Sequence, residues 1–187
     1  VTDPSDGFSD TPKGLSTNYT YNSFGELKSL QNPDSGVTNY RYDLAGNTIW
    51  LERPEDREND TAIRYEYDGL NRLLLIDYEN DELDVTYHYD ETGEQQNGIG
   101  RLTRIIDASG ETSLFYDKRG NTSKVITKRE SVNRTTEYGY DDAGRLLTTK
   151  TPGGITINYS YRHSEPDISS NWLEKVEVNK GGEVLLL

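Results

Sequence analysis

The sequence predicts an all-β fold: tandem antiparallel β-hairpin repeats running on as one continuous, twisted, spiralling sheet. Three observations predict it. A Tyr-rich strand runs into a turn seven times along the 187 residues, and five of those junctions read Tyr-Asp. Residues flanking each station alternate apolar and polar with period two, the signature of a half-buried strand. Clusters of Asp, Asn, Gly and Pro then punctuate the chain at both ends of each strand pair.

The second Tyr of each station falls at 21, 42, 67, 89, 116, 140 and 161, giving steps of 21, 25, 22, 27, 24 and 21 residues. A unit of this length cannot bury a core alone and must lean on its neighbours. In the first strand of a unit, Ile63, Tyr65 and Tyr67 share one face while Arg64 and Glu66 share the other. Val85, Tyr87 and Tyr89 alternate with Thr86 and His88, and Ile155, Ile157, Tyr159 and Tyr161 with Thr156, Asn158 and Ser160. Tyr40 with Tyr42, Tyr116, and Tyr138 with Tyr140 occupy the same stations. These tyrosines are expected to be structural, stacking along one face as cross-strand ladders.

A turn of fixed recipe follows each second Tyr. It reads Asp43-Leu44-Ala45-Gly46, Asp68-Gly69-Leu70-Asn71, Asp117-Lys118-Arg119-Gly120 and Asp141-Asp142-Ala143-Gly144, with Asn22-Ser23-Phe24-Gly25 as a variant. Asp at the first position accepts backbone N–H bonds, and Gly or Asn at the fourth tolerates positive φ. The second strand then opens at Glu26-Leu27, Asn47-Thr48, Arg72-Leu73, Arg101-Leu102, Asn121-Thr122 and Arg145-Leu146. After Asp90-Glu91-Thr92-Gly93 the recipe is interrupted by Glu94-Gln95-Gln96-Asn97-Gly98-Ile99-Gly100, which is polar and Gly-rich and is expected to be a longer surface loop. Further turns, at Asn32-Pro33-Asp34-Ser35-Gly36, Arg57–Asp60, Glu79–Glu82, Asp107–Gly110 and Thr151–Gly154, lead into the next station without a helix. Residues 1–16 are expected to be a linker or irregular lead-in, and 17–187 to hold about seven hairpin repeats. The last is expected to be truncated, and the Val1 start without Met to reflect an excised fragment.

Composition narrows the function. The apolar fraction is 32% and the net charge −13, with a mean hydropathy of −0.88. Disorder has a similar composition, but the 14 Tyr residues and their alternation fit a sheet with one solvated face. An acidic surface repels nucleic acid and anionic lipid, and no apolar run reaches the roughly 20 residues that span a bilayer. Neither a nucleic-acid partner nor membrane insertion is expected. Cysteine is absent, which removes disulfides and thiolate chemistry.

The motif Y-x-Y-D-x-x-G-[RN]-[LT], seen in Tyr40–Thr48 and Tyr138–Leu146, resembles the YD repeat of Rhs and teneurin-like proteins. The resemblance runs from about Thr17 to Glu183. It implies a spiral of β-hairpins that wraps into a hollow shell, of which seven repeats form an arc. In Rhs effectors, wall-associated toxins and toxin complex C components such a shell encloses a toxic C-terminal polypeptide. Teneurins use a similar barrel as an extracellular adhesion scaffold. The implied partners are neighbouring repeats and an enclosed cargo, and the implied location is secreted or cell-surface. The Asp-Pro-x-Gly-Leu element that ends the Rhs core has only a superficial counterpart in Asp3-Pro4-Ser5-Asp6-Gly7, so self-cleavage is not expected.

No catalytic constellation emerges, and no cofactor or metal is expected. His88 and His163, the two histidines, are read as solvated. Asp43, Asp68, Asp117 and Asp141 are assigned to turns rather than to paired-carboxylate catalysis. The acidic run Asp77–Asp84 lacks Ca²⁺-loop spacing and is read as a hairpin tip. Trp50, Trp172 and Tyr78 are candidates for stacking on a glycan, the alternative role for these repeats. Sequons at Asn18, Asn59, Asn121 and Asn133 coincide with Asn-rich turns.

Overall fold

The computed structural model describes residues 16–94, 96–162 and 172–186. Fifteen strands hydrogen-bond in sequence order, which is what a chain of short-looped hairpins produces. The chain clusters into two compact units that divide between Thr86 and Tyr87.

The first unit holds β1 (Asn18–Tyr21), β2 (Leu27–Asn32), β3 (Gly36–Tyr42), β4 (Thr48–Glu52), β5 (Ile63–Tyr67), β6 (Leu73–Asp77) and the start of β7 (Val85–Tyr89). Consecutive pairs are antiparallel, with Tyr40 opposite Leu51, Leu51 opposite Ile63, and Tyr65 opposite Ile76. Here the expectation of a helix-free meander fails. Pro54–Glu58 forms a short α1 with Pro at its start and Glu55 and Asp56 in its first turn, both favourable at a helix N-terminus. The main-chain N–H and the Nε of Arg53 donate to Asp56 Oδ2 at 2.8 and 2.9 Å, which holds the buried Asp56 in place. A Cβ built on Gly36, at φ +83°, meets Pro54 Cγ at 2.7 Å, so glycine lets α1 close over the β2–β3 turn.

The second unit continues with the rest of β7, then β8 (Leu102–Asp107), β9 (Gly110–Tyr116), β10 (Thr122–Arg129), β11 (Val132–Tyr140), β12 (Leu146–Lys150), β13 (Ile155–Arg162), β14 (Trp172–Lys180) and β15 (Glu183–Leu186). Apolar rows cross it, such as Tyr138 beside Thr149, Thr149 beside Ile157, and Ile157 beside Val178. Stations fall on alternate strands, so the residue opposite a first-position Tyr is Leu51, Ile76, Thr149 or Val176 rather than another Tyr. The cross-strand ladders expected of these tyrosines set them against aliphatic side chains or Thr. Most strand residues are half-buried; among the described residues the buried apolar side chains are Ala62 and Ile63, and Thr103 is fully enclosed.

Candidate functional site: the seams between hairpins

Each turn is built around one carboxylate or amide. Asp43 Oδ1 accepts from the N–H groups of Ala45 and Asn47, both at 2.9 Å, while Oδ2 accepts from Asn47 Nδ2. Asp117 repeats this with Arg119 and Asn121. Asp68 and Asp141 do so with an arginine in the fifth position, Arg72 Nε and Arg145 Nε each donating at 2.6 Å. Main-chain bonds close the same turns, from Asp43 N–H to Asn47 O and from Gly46 N–H to Asp43 O. Gly46, Asn71, Gly120 and Gly144 take positive φ, between 61° and 93°. The hydrogen bonds hold all four carboxyls below the ordinary Asp range. Asn47 and Asn121 side chains act first at Asp43 and Asp117, and the Arg72 and Arg145 main-chain N–H groups at Asp68 and Asp141.

In six of the strand pairs a β-bulge sits on the second strand opposite the station tyrosine. Pairing steps from Arg41↔Trp50 to Tyr42↔Thr48, leaving Ile49 as the extra residue, and from Gly139↔Thr148 to Tyr140↔Leu146, leaving Leu147. Bulges also sit at the corresponding places beside Tyr21, Tyr67, Tyr116 and Tyr161. A bulge bends its strand and interrupts the ladder. On its other side the same strand stops pairing with the next hairpin short of the bulge: β4 meets β5 from Trp50 onward, and β12 meets β13 from Thr148 onward. The carbonyls of Thr48 and Leu146 therefore lie beyond the last rung.

The second Tyr of the following hairpin occupies that gap. Tyr42 Oη donates to Leu27 O at 2.9 Å, Tyr67 to Thr48 O at 2.9 Å, Tyr116 to Leu102 O at 2.6 Å, Tyr140 to Thr122 O at 3.0 Å and Tyr161 to Leu146 O at 2.9 Å. Burial raises the pKa of the Tyr42, Tyr67, Tyr116 and Tyr140 hydroxyls, keeping them protonated donors. Arg145 lies over the Tyr161 ring at 4.8 Å, and Arg101 over Tyr116 at 5.5 Å. Sequence reasoning assigned these tyrosines to the apolar face and missed the hydroxyl's part. A signal for it exists: the second position is Tyr in all seven stations, whereas Leu114 stands two residues before Tyr116 where other stations have Tyr. Tyr40, Tyr65, Tyr87, Tyr138 and Tyr159, the first-position residues, lie half-buried on their strands.

Most of the long insertion lies at the surface, with Glu94, Asn97, Ile99 and Gly100 exposed, but Gln96 and Gly98 are buried and the loop is tied down. Asp90, at φ +63°, receives Gly100 N–H on its carboxylate at 2.6 Å, and its own N–H reaches Arg101 O at 3.1 Å. The loop folds back onto the end of β9, with Tyr116 N–H donating to Gln96 O at 3.0 Å and Asn97 Nδ2 to Tyr116 O at 2.7 Å. Gln96 and Thr103 are buried beneath it. Glu91 accepts from Arg104 Nη2 at 2.6 Å and from Gln96 Nε2 at 3.4 Å. Burial pushes the Glu91 carboxyl up, but hydrogen bonds from Arg104 and Thr103 outweigh it and leave the group below its ordinary range. His88, expected to be solvated, is half-buried, and its Nε2 is enclosed with no hydrogen-bond partner among the described residues.

The other sequence candidates lie on separate elements. Trp50 is covered by Arg41 at 4.1 Å from its centroid, while Trp172 is largely exposed on β14. Tyr78 N–H donates to Asp84 Oδ1 at 2.9 Å across an acidic tip that contains a 3₁₀ turn, Asp81–Leu83. Among the described residues no three His, Cys, Asp or Glu side chains gather as a metal site. His163 and the Asp3–Gly7 segment lie outside the described residues.

Residues 116–156 match the RHS Repeat family model. The chain is 25% identical over 160 residues to the tRNA3(Ser)-specific nuclease WapA of Bacillus spizizenii, covering 79% of this chain and 6% of that protein. It is 28% identical over 175 residues to Teneurin-m of Drosophila melanogaster, covering 90% of this chain and 6% of that protein. The fold matches the crystal structure of TcdB2-TccC3-Cdc42 with a TM-score of 0.72 at 16% identity, over 91% of this chain and 9% of the other. The chain thus spans a small part of the proteins it resembles.

Proposed function

We propose that this chain, which belongs to the YD-repeat family, is a non-enzymatic wall segment that encloses or presents an effector domain carried elsewhere in a longer secreted or cell-surface protein. The observation that carries this reading is the repeated seam. The turn carboxylates hold main-chain N–H groups, and the station hydroxyls close carbonyls left open by bulges. The carboxylates are thus engaged in closing turns within each hairpin, and the tyrosine hydroxyls in joining one hairpin to the next.

The comparisons support it from another direction. The same stretch resembles small portions of a protein named as a tRNA nuclease and of a teneurin. What such different proteins have in common with this chain is the repeat, which fits a scaffold better than an activity. An acidic surface keeps a large sheet soluble, and a wall with satisfied backbone groups at its joints resists local opening.

Two measurements test the reading. The purified chain, incubated with total tRNA and separately applied to a glycan array, is expected neither to cleave nor to bind. In a longer protein carrying this stretch, combined Tyr116→Phe, Tyr140→Phe and Tyr161→Phe substitutions are expected to speed protease attack on the enclosed domain while leaving that domain's own activity intact. Turnover or specific glycan binding by the chain alone would overturn the proposal.

A further inference from the structure

We infer that the open edge of β11, from Val132 to Thr136, is a seat for an extended acidic peptide of another polypeptide, which adds to the sheet there as a further strand. The inference concerns one strand edge and stands whether or not the wall encloses an effector.

β11 outruns its neighbour. It pairs with β10 from Glu137 down to Val132, whereas β12 meets it only from Glu137, opposite Lys150, to Tyr140. Glu130 and Ser131 form a two-residue tip, with Glu130 at φ +51°. In such a hairpin the flanking residues, here Arg129 and Val132, exchange main-chain hydrogen bonds. Bonding then alternates along the strand, so the main chain of Val132, Arg134 and Thr136 faces β10 and that of Asn133 and Thr135 faces the other way. Past Lys150 the chain does not follow them. Thr151 N–H bonds to Ile155 O at 2.9 Å and Gly154 N–H to Thr151 O at 3.0 Å, curling the turn back onto β13. The N–H and C=O of Asn133 and Thr135 therefore form a strand edge with no ladder partner among the described residues, a template for one more strand. Beside it lies a groove of about 520 Å³ lined by Asn133, Thr135, Lys150, Pro152 and Thr156.

Charge selects the partner. Acidic residues outnumber basic ones by 33 to 20 in this chain, and the other arginines each find a carboxylate, an aromatic ring or a carbonyl. The guanidinium of Arg134, exposed on the face opposite Asn133 and Thr135, makes no such contact among the described residues. Lys128, across from Asn133 and also exposed, forms no ion pair among them either. Val132, on the Arg134 face, is 51% exposed. An antiparallel strand laid along this edge places one residue opposite Arg134 and, two residues later, one opposite Val132. An acidic and an aliphatic side chain suit those two places, since opposite charges and apolar pairs directly across a sheet attract.

NMR titration of the chain with the peptide acetyl-Thr-Thr-Glu-Thr-Val-amide tests this. The Asn133 and Thr135 amides are expected to shift with saturation and to exchange more slowly, while exchange of the Arg134 amide, already bonded to β10, stays unchanged. Replacing the peptide's Glu by Lys is expected to weaken binding about threefold or more. N-methylation of the second and fourth peptide residues, whose N–H groups face β11, is expected to abolish binding, and N-methylation of the third to be tolerated. Thr135→Pro removes an N–H that no strand of this chain uses, as an edge permits, and is expected to fold and to lose binding. Should it fail to fold, the methylated peptides decide on the native chain. No saturation at millimolar peptide, equal binding of the Glu and Lys peptides, or undiminished binding after the second and fourth methylations or to a folded Thr135→Pro overturns the inference. Concentration-dependent shifts of the same two amides without peptide would give the edge to a second copy of this chain and overturn the choice of partner.

Discussion

The hydroxyl of Tyr140 donates to the main-chain carbonyl of Thr122 at 3.0 Å, and Thr122 is the residue paired with Tyr116 in the preceding hairpin. One station's tyrosine thus closes the joint opened beside the previous one, and Tyr67 does the same for Thr48, the partner of Tyr42. Five hairpins are tied in this way to the strand before them by a side chain as well as by the β-ladder. Nearest-neighbour ties of this kind are what a repeat chain needs when no single unit has a core.

The turn carboxylates give stability a pH dependence of definite sign. Asp43, Asp68, Asp117 and Asp141 all have depressed folded-state pKa values. Their contribution is complete above the unfolded value of about 3.9 and is lost as pH falls through the folded values below it. Melting temperature is therefore expected to hold above about pH 5 and to drop steeply below about pH 4. Asp141→Asn should melt lower at neutral pH, with a shallower acid limb. An acid limb unchanged in the mutant would remove Asp141 from the account.

Gly144 isolates the cost of backbone conformation. It sits at φ +78°, and the nearest atom to a built Cβ is Asn121 Oδ1 at 4.0 Å, so a side chain meets no obstacle. Gly144→Val is expected to lose about 1–2 kcal/mol from left-handed strain alone, measured by urea unfolding. Gly46→Val, at φ +86°, should behave likewise. Native-like midpoints in both would contradict the turn geometry.

Gly98 tests the seating of the loop after Asp90 by packing rather than conformation. The clash with Glu91 O is against main chain, which cannot swing aside. Gly98→Ala is expected to cost about 1–3 kcal/mol as overpacking. Gly69→Ala, where a Cβ meets nothing within 4 Å, should stay within about 0.5 kcal/mol of the native chain. Equal effects at the two positions would mean that the loop is not seated.

Much of this fold is legible in the sequence because its signals are local. Ile63, Tyr65 and Tyr67 reveal a strand by alternation, and Asp43 with Gly46 reveals a turn by the hydrogen bonds and φ those residues permit. The bulges at Ile49 and Leu147 are not legible, since one extra residue in a strand of five barely disturbs its period. Helix α1 is too short to show a helical stripe, although Pro54 followed by Glu55 and Asp56 was a start signal in plain view. The insertion is polar and mostly exposed as read, but its anchoring is not legible: Gln96 and Asn97 bond to Tyr116, far along the chain, and composition carries no trace of a distant partner. The seam lies between these cases: an unvarying second Tyr beside a first position that admits Leu114 hints at a hydroxyl in use, without saying what it bonds.

Paired unfolding of Tyr140→Phe and Tyr138→Phe tests the seam most directly. The two tyrosines share a face of β11, but among the described residues only Tyr140 reaches a neighbouring carbonyl. Removing the Tyr140 hydroxyl leaves Thr122 O half-buried and unpaired, so the urea midpoint should fall by an amount worth about 1–2 kcal/mol. The Tyr138 change should lie within about 0.5 kcal/mol of zero. Equal losses from both substitutions, or none from Tyr140→Phe, would contradict the claim that the second tyrosine of each station locks its hairpin to the one before.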